Sequence, residues 1–214
     1  MADAPCVIFG GTFDPVHEGH LAIARAARAR FGGNVHFIPA GDPAHRAQVQ
    51  ASALHRLAML QIAVARERGF VIDTRELGRD GPTWTIDTVE ELRGDLAADT
   101  PLVLVIGMDS LRAFTTWKRW RDILAQAHLF ACTRPGQGMP TARELGELAE
   151  HVTANPDDLL ASNGGLILIE TGTAANMSST RLRADLAAGK AVTGLPAGVR
   201  EYIDHHQLYR PDAA

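Results

Sequence analysis

The amino-acid sequence predicts a single α/β domain: a doubly wound, Rossmann-like parallel sheet with helices on both faces. Three observations lead there. Short, uninterrupted apolar runs recur along the chain, as strands covered on both faces require. Between them lie stretches with apolar residues three and four positions apart, the spacing of helices packed on a sheet. The chain has 214 residues, 46% of them hydrophobic, which suits one core of this kind.

The elements follow in order. Cys6 to Phe9 is an apolar run ending in Gly10-Gly11, a strand followed by a tight loop. From His20 to about Phe31 the sequence is Ala-rich with scattered Arg, a helix pattern closed by Gly32-Gly33. Val35 to Ile38 is the second strand, stopped by Pro39, and residues 40–52 lack a period and form a loop. Leu57, Leu60 and Val64 give helical spacing up to Gly69, and Phe70 to Ile72 is a third strand. Ile86, Val89, Leu92 and Leu96 mark another helix ahead of the apolar strand Leu102 to Ile106. Trp120, Ile123 and Leu124 fit a short helix, and His128 to Cys132 the next strand. The segment Arg134 to Pro140 reads as a connector. Thr141 and Glu144 have capping-box spacing for a helix carrying Leu145, Leu148 and Val152. Leu166 to Ile169 is the last strong strand. Ser178-Ser179-Thr180 offers N-caps for a helix ending near Gly189, and a final helix spans about Ala197 to His205. One domain over residues 1–214 is expected, with a helical C-terminal segment from about residue 178.

The formal net charge is −4, without the basic excess of a general nucleic-acid binder. Cys6 and Cys132 form no Cys-x-x-Cys pair and read as free thiols in apolar strands. The start shows no signal-peptide pattern and no apolar run would span a bilayer, so a cytoplasmic chain with no membrane and no nucleic-acid partner is expected.

In an open α/β sheet ligands bind beyond the carboxyl ends of the strands. The loops after Phe9, Ile38, Ile106 and Ile169 are therefore expected to share one cleft. The first of them, Gly10-Gly11-Thr12-Phe13-Asp14-Pro15-Val16-His17-Glu18-Gly19-His20, carries most of the chemistry. Its glycines allow close approach of backbone to ligand. Its two histidines stand where a helix begins, and a helix start presents unpaired N–H groups and a positive dipole end to phosphate. A turn with surface histidines is the plain alternative. A zinc site is disfavoured, since His17-Glu18-Gly19-His20 lacks the four-residue repeat of a His-Glu-x-x-His helix. A second string, Met177-Ser178-Ser179-Thr180-Arg181-Leu182-Arg183, again gathers hydroxyls and N–H groups at a helix start, with Arg183 one turn in. Alone it is equally an ordinary N-cap with surface arginines; together the two strings suggest a polyphosphate site.

These strings resemble the nucleotidyltransferase superfamily that carries the His-x-Gly-His signature. Further matches resemble the bacterial nicotinate-nucleotide adenylyltransferases: Pro43-Ala44-His45-Arg46, Thr83-Trp84-Thr85, Ile106-Gly107-Met108-Asp109-Ser110, Trp117, and Tyr202-Ile203 to Leu208-Tyr209-Arg210. The resemblance implies transfer of the adenylyl group of ATP to nicotinate mononucleotide. It implies catalytic roles for His17, His20 and Arg183, with His20 nearest the reacting phosphate. Gly10, Gly11, Thr12, Gly107, Asp109, Ser179 and Thr180 would bind ATP, and His45, Arg46, Thr85 and Trp117 the acceptor. It implies Mg²⁺ held mainly through substrate phosphates, with no dedicated protein ligands. The chain departs from the family pattern at Ala40-Gly41, where asparagine is common, at Lys118, where a second aromatic commonly follows the tryptophan, and at Met177, where isoleucine is usual. A sister adenylyl- or cytidylyltransferase acting on another phosphorylated acceptor, such as phosphopantetheine, shares both phosphate strings. A non-catalytic nucleotide-sensing module would share the fold.

Overall fold

The computed structural model describes residues 4–43, 49–173 and 177–210. Seven strands form one sheet, and every neighbouring pair runs parallel. In chain order they are β1 (Cys6–Gly11), β2 (Val35–Pro39), β4 (Phe70–Ile72), β6 (Leu102–Gly107), β7 (His128–Cys132), β8 (Val152–Thr153) and β9 (Ile167–Glu170). The spatial order is β4-β2-β1-β6-β7-β9-β8. A two-residue parallel pair, β3 (Asp42–Pro43) with β5 (Pro82–Thr83), lies apart from it.

Alternation along the central strands sends side chains to two separate cores. Val7, Phe9, Val103 and Val105 face one side, with Leu21, Ala24 and Phe31 of α1 (Glu18–Phe31), Met59 and Leu60 of α2 (Ala53–Val64), and Val199 and Ile203 of α9 (Ala197–His205). Ile8, Leu102, Leu104 and Ile106 face the other, with Ile86, Val89 and Leu92 of α3 (Thr85–Asp95), Leu111 of α4 (Met108–Arg112), and Ile123 and Leu124 of α5 (Trp120–Gln126). Both sets are buried, which is why the strands read as continuous apolar runs rather than alternating ones. Phe9, Phe37 and Phe130 are core, and Cys6 and Cys132 are free thiols.

The chain leaves β1 for β2 on one side and returns to β6 on the other. β1 and β6 are therefore the strands between which the order reverses, and a crevice opens beyond their carboxyl ends.

The structure corrects several element boundaries. α1 begins at Glu18, not His20, so His17 is the N-cap and Gly19 and His20 fall in the first turn. α2 buries Leu60 and Val64 of the expected stripe together with Arg56, Met59 and Ala63, while Leu57 is only half-buried. The Thr141–Glu144 capping box is present, but its helix, α6 (Ala142–Leu145), stops at Gly146, whose φ of 56° is left-handed. The chain continues as 3₁₀ turns over Gly146–His151, and Val152 then joins edge strand β8. The short α4, α7 (Asp157–Leu160) and the β3–β5 pair span too few residues to show a period. α8 (Ser179–Ala187) and α9 complete the C-terminal helical segment. No helix among the described residues is long and apolar enough to cross a membrane.

Candidate active site

Two cavities of about 530 and 500 Å³ meet at the carboxyl ends of β1 and β6. They share Gly10, Gly11, Thr12, Ile106, Asp109, Ser110 and Trp117 as a common wall. The first is completed by His17, His20, Gly107, Arg134, Ser179, Thr180 and Arg183. The second is completed by Ala40, Glu76, Thr83, Trp84, Thr85, Thr88 and Lys118 among others. Every candidate residue of the two phosphate strings, together with Gly107, Asp109, Thr85 and Trp117, lines one or both. His45 and Arg46 lie outside the described residues.

The two strings touch directly. The Ser179 hydroxyl donates to the Pro15 carbonyl at 3.1 Å across 164 positions of sequence. Arg183 Nη1 donates to the Asp14 carbonyl at 2.7 Å. Its Nε is buried and has no hydrogen-bond partner among the described residues.

The glycines of the first string do different work. A Cβ on Gly10 would meet nothing within 4 Å, so its backbone lies open to a ligand. A Cβ on Gly11 would stand 2.8 Å from the Phe13 ring, so that glycine also makes room for an aromatic, while it lines both cavities. Phe13, itself at a left-handed φ of 50°, packs with Phe9 and Phe37 beneath the His20 ring. Gly19 has a third role. Its missing side chain would meet His17 Nδ1 at 2.9 Å. The space lets His17 lie flat on His20, ring centres 3.8 Å apart and planes 22° from parallel.

The His17 N–H donates to His20 Nδ1 at 3.2 Å, which makes Nδ1 an acceptor and leaves the proton of the neutral His20 ring on Nε2. His17 is 5% exposed, and burial, aided by the charge of Arg134, lowers its pKa to about 4. It is therefore neutral at pH 7.

Two expected results arise here. Gly19→Ala would gain up to about 1 kcal/mol of helix propensity yet displace the His17 ring. Misplacing a reacting constellation by an ångström costs about 100-fold. Steady-state rates on a variant of unchanged melting midpoint check this; normal rates would refute it. The second concerns acid. An unfolded histidine titrates near 6.5. Above that pH His17 is neutral in both states and adds no pH dependence. As pH falls from about 6.5 to about 4, the unfolded chain takes the proton first, and the fold loses up to roughly 3 kcal/mol through this ring. Burial lowers His36 and His128 as well, in the same sense. Denaturant midpoints of wild type and His17→Gln should converge as pH drops from 7 to 4; curves that stay parallel would refute the assignment.

Beneath the site is a buried polar hub that the sequence did not disclose. The Asp14 carboxylate, 3% exposed, accepts from Gln50 N at 2.8 Å, Ala51 N at 3.2 Å and the Tyr209 hydroxyl at 2.6 Å. Arg183 Nη1 lies 3.9 Å from it. Burial and the Asp14 contact push the Tyr209 hydroxyl pKa strongly up. Arg56, 1% exposed, donates to the carbonyls of Thr12 and Gly41, both at 2.9 Å, and so ties the loops after β1 and β2. The available signal for Arg56 was its place on the same helix face as Leu60 and Ala63. Arg134 also departs from expectation: it leaves the connector after β7 and donates to Asp109 Oδ2 at 2.8 Å inside the cleft. Asp109 sits in the first turn of α4, with Arg112 at 3.7 Å.

Comparison with known proteins agrees with this geometry. Residues 8–185 match the family described as cytidylyltransferase-like. A protein of Aeromonas hydrophila, described as a probable nicotinate-nucleotide adenylyltransferase, is 45% identical over 99% of this chain and 100% of its own length. One of Stenotrophomonas maltophilia with the same description is 41% identical over 95% and 96%. The solved structure of the Plasmodium falciparum nicotinic acid mononucleotide adenylyltransferase, complexed with NaAD, shares the fold with a TM-score of 0.72 at 14% identity, covering 97% of this chain and 98% of that one. The chain thus belongs to the cytidylyltransferase-like family and, within it, to the nicotinate-nucleotide adenylyltransferases.

Proposed function

We propose that this chain transfers the adenylyl group of ATP to nicotinate mononucleotide, releasing pyrophosphate and forming nicotinate adenine dinucleotide. The observation that carries the reading is the clasp of two helix starts, joined through Pro15–Ser179 and Asp14–Arg183, around one cavity that opens into a tryptophan-lined second one. Family membership supports the same chemistry.

An oxygen of the acceptor phosphate attacks the α-phosphorus of ATP in line. The bond to the bridging oxygen breaks, and pyrophosphate leaves with that electron pair. The nucleophile is already an anion at pH 7, so no general base is needed. Catalysis rests on positioning and on neutralising charge. In this reading Gly10, Gly11 and Thr12 line the phosphates, and His17 and His20 face the triphosphate. His20 Nε2–H donates toward the α-phosphate as charge gathers there. Ser179, Thr180 and Arg183 hold the β- and γ-phosphates, Gly107 and Asp109 the ribose, and Thr85 and Trp117 the pyridine ring. His45 and Arg46 take the acceptor phosphate.

Family nucleotidyltransfer uses a divalent cation, here read as Mg²⁺. Among the described residues no cluster of three or more His, Cys, Asp or Glu could hold a metal, and the Asp14 carboxylate is occupied by its three donors. The donor set fits a cation carried by phosphate oxygens and water rather than a protein cage. When bound, it supplies charge neutralisation across the phosphates. The reading places the enzyme in the cytoplasm, with its nucleotide substrates.

Pyrophosphate release measured with ATP and each of nicotinate mononucleotide, nicotinamide mononucleotide and phosphopantetheine tests the proposal. Turnover with the first is expected. Turnover with phosphopantetheine alone would assign a sister transferase, and turnover with none would leave a nucleotide-sensing module.

A further inference from the structure

We infer that Met177 is a positioning residue for the triphosphate side of the cleft: its thioether, seated over Gly194, sets where α8 begins relative to α1. The inference rests on the reading of the first cavity as the ATP site. α8 is lightly rooted for an element that carries Ser179, Thr180 and Arg183. Among its described residues only Leu182 is fully buried. Side chains hold its start instead, Ser179 on the Pro15 carbonyl and Arg183 on the Asp14 carbonyl. Both are groups that the triphosphate would recruit. A hydroxyl or guanidinium that turns to phosphate gives up a neutral carbonyl for a stronger, charged acceptor. A tie that makes no polar contact survives that exchange.

Met177 is such a tie. It immediately precedes Ser178, the N-cap of α8, and it lines the first cavity. The place that a side chain on Gly194 would take is filled by its methyl Cε, and its Sδ stands 2.6 Å from that place. At its other end, its Cβ lies 3.5 Å from where a side chain on Gly19 would begin, an ordinary packing contact. Met177 thus spans from the first turn of α1 to the loop ahead of α9. Both platforms are anchored. Gly19 is buried in α1, and the Gly194 carbonyl accepts from Glu18 N, at the start of the same helix, at 2.8 Å. Leu195, next in the chain, packs against the core that holds Val199 and Ile203 of α9. Gly194 has a φ of 85°, a conformation that favours glycine and so keeps the slot open. An unbranched thioether with three rotatable bonds suits such a slot, since its tip reaches further than a branched aliphatic chain.

The test is the kinetics of Met177→Ala, Gly194→Ala and the double variant, with ATP KM, acceptor KM and kcat measured separately and MgATP binding followed by calorimetry without acceptor. Alanine at 177 empties the slot; alanine at 194 fills it and drives the thioether out. Each is expected to lower kcat/KM for ATP about 10- to 100-fold, the scale of a misplaced binding group, with the acceptor KM unchanged. The double variant should be little worse than the poorer single one, because both changes break one contact. Melting midpoints are the fold control, and Met177→Ala, which asks nothing new of the backbone, decides alone if Gly194→Ala does not fold. A lowered midpoint with unaltered ATP KM and MgATP affinity would reduce Met177 to packing and overturn the inference. Single effects that multiply in the double variant would overturn it as well. A wild-type chain that binds MgATP yet turns over no acceptor would overturn the functional reading instead, and the calorimetric comparison would still decide the role of Met177.

Discussion

His20→Ala is expected to lower turnover about 100- to 1000-fold, the usual cost of removing one transition-state donor. The ring is built to donate from one nitrogen. Its Nδ1 is occupied as an acceptor by the His17 N–H at 3.2 Å, and its faces rest on His17 and against Phe13, centres 3.8 and 5.1 Å away. In the proposed reading these contacts orient the ring so that Nε2–H faces the charge that builds on the α-phosphate. The fold should lose far less. The cap bond and some ring packing are worth about 1–2 kcal/mol, a few degrees in a chain of this length. His20→Asn, which keeps a short acceptor near the His17 N–H, should preserve the midpoint better and turnover no better. Steady-state and melting measurements on both variants decide the matter; near-wild-type turnover in His20→Ala would remove this histidine from the reacting centre.

Asp14→Ala is expected to have the largest effect on stability. Its carboxylate satisfies two backbone N–H groups and the Tyr209 hydroxyl, and its charge faces Arg56 and Arg183. Arg56 is 1% exposed, and burial already pulls its pKa below the ordinary value. Removing one partner from a buried ionic group costs about 3–5 kcal/mol, because the remaining charge is stranded. At roughly 2–4 °C per kcal/mol, the midpoint should fall by about 6–20 °C. Tyr209→Phe, which deletes one hydrogen bond and no charge, should cost only about 1 kcal/mol. Thermal melts of the two variants make the comparison, and an Asp14→Ala shift within about 2 °C would show that the hub carries no such strain.

The hub also explains where sequence reading stopped. Asp14 was visible as part of a glycine-rich string and Tyr209 as part of a C-terminal one, but nothing local says that residues 195 positions apart meet at 2.6 Å. Arg56 was harder still: an arginine in a helix is ordinarily solvated, and only burial reveals that it holds the Thr12 and Gly41 carbonyls. Arg134 looked like part of a connector because its ion pair with Asp109 is a contact between separate loops. Short elements such as β8 and the β3–β5 pair form because a partner strand is near, not because their own residues demand it.

The sequence by itself determined the α/β class, the main strands and both phosphate strings, since apolar periodicity and turn chemistry are local properties of a chain, whereas Trp117 and Thr85 stood out only through the family resemblance. Tertiary structure decided which histidine nitrogen accepts, why Gly11 and Gly19 must lack side chains, and how Arg56 and Asp14 brace the cleft. Those facts depend on distances between residues remote in sequence, and a buried charge or a forbidden Cβ exists only once the surrounding atoms have closed around it.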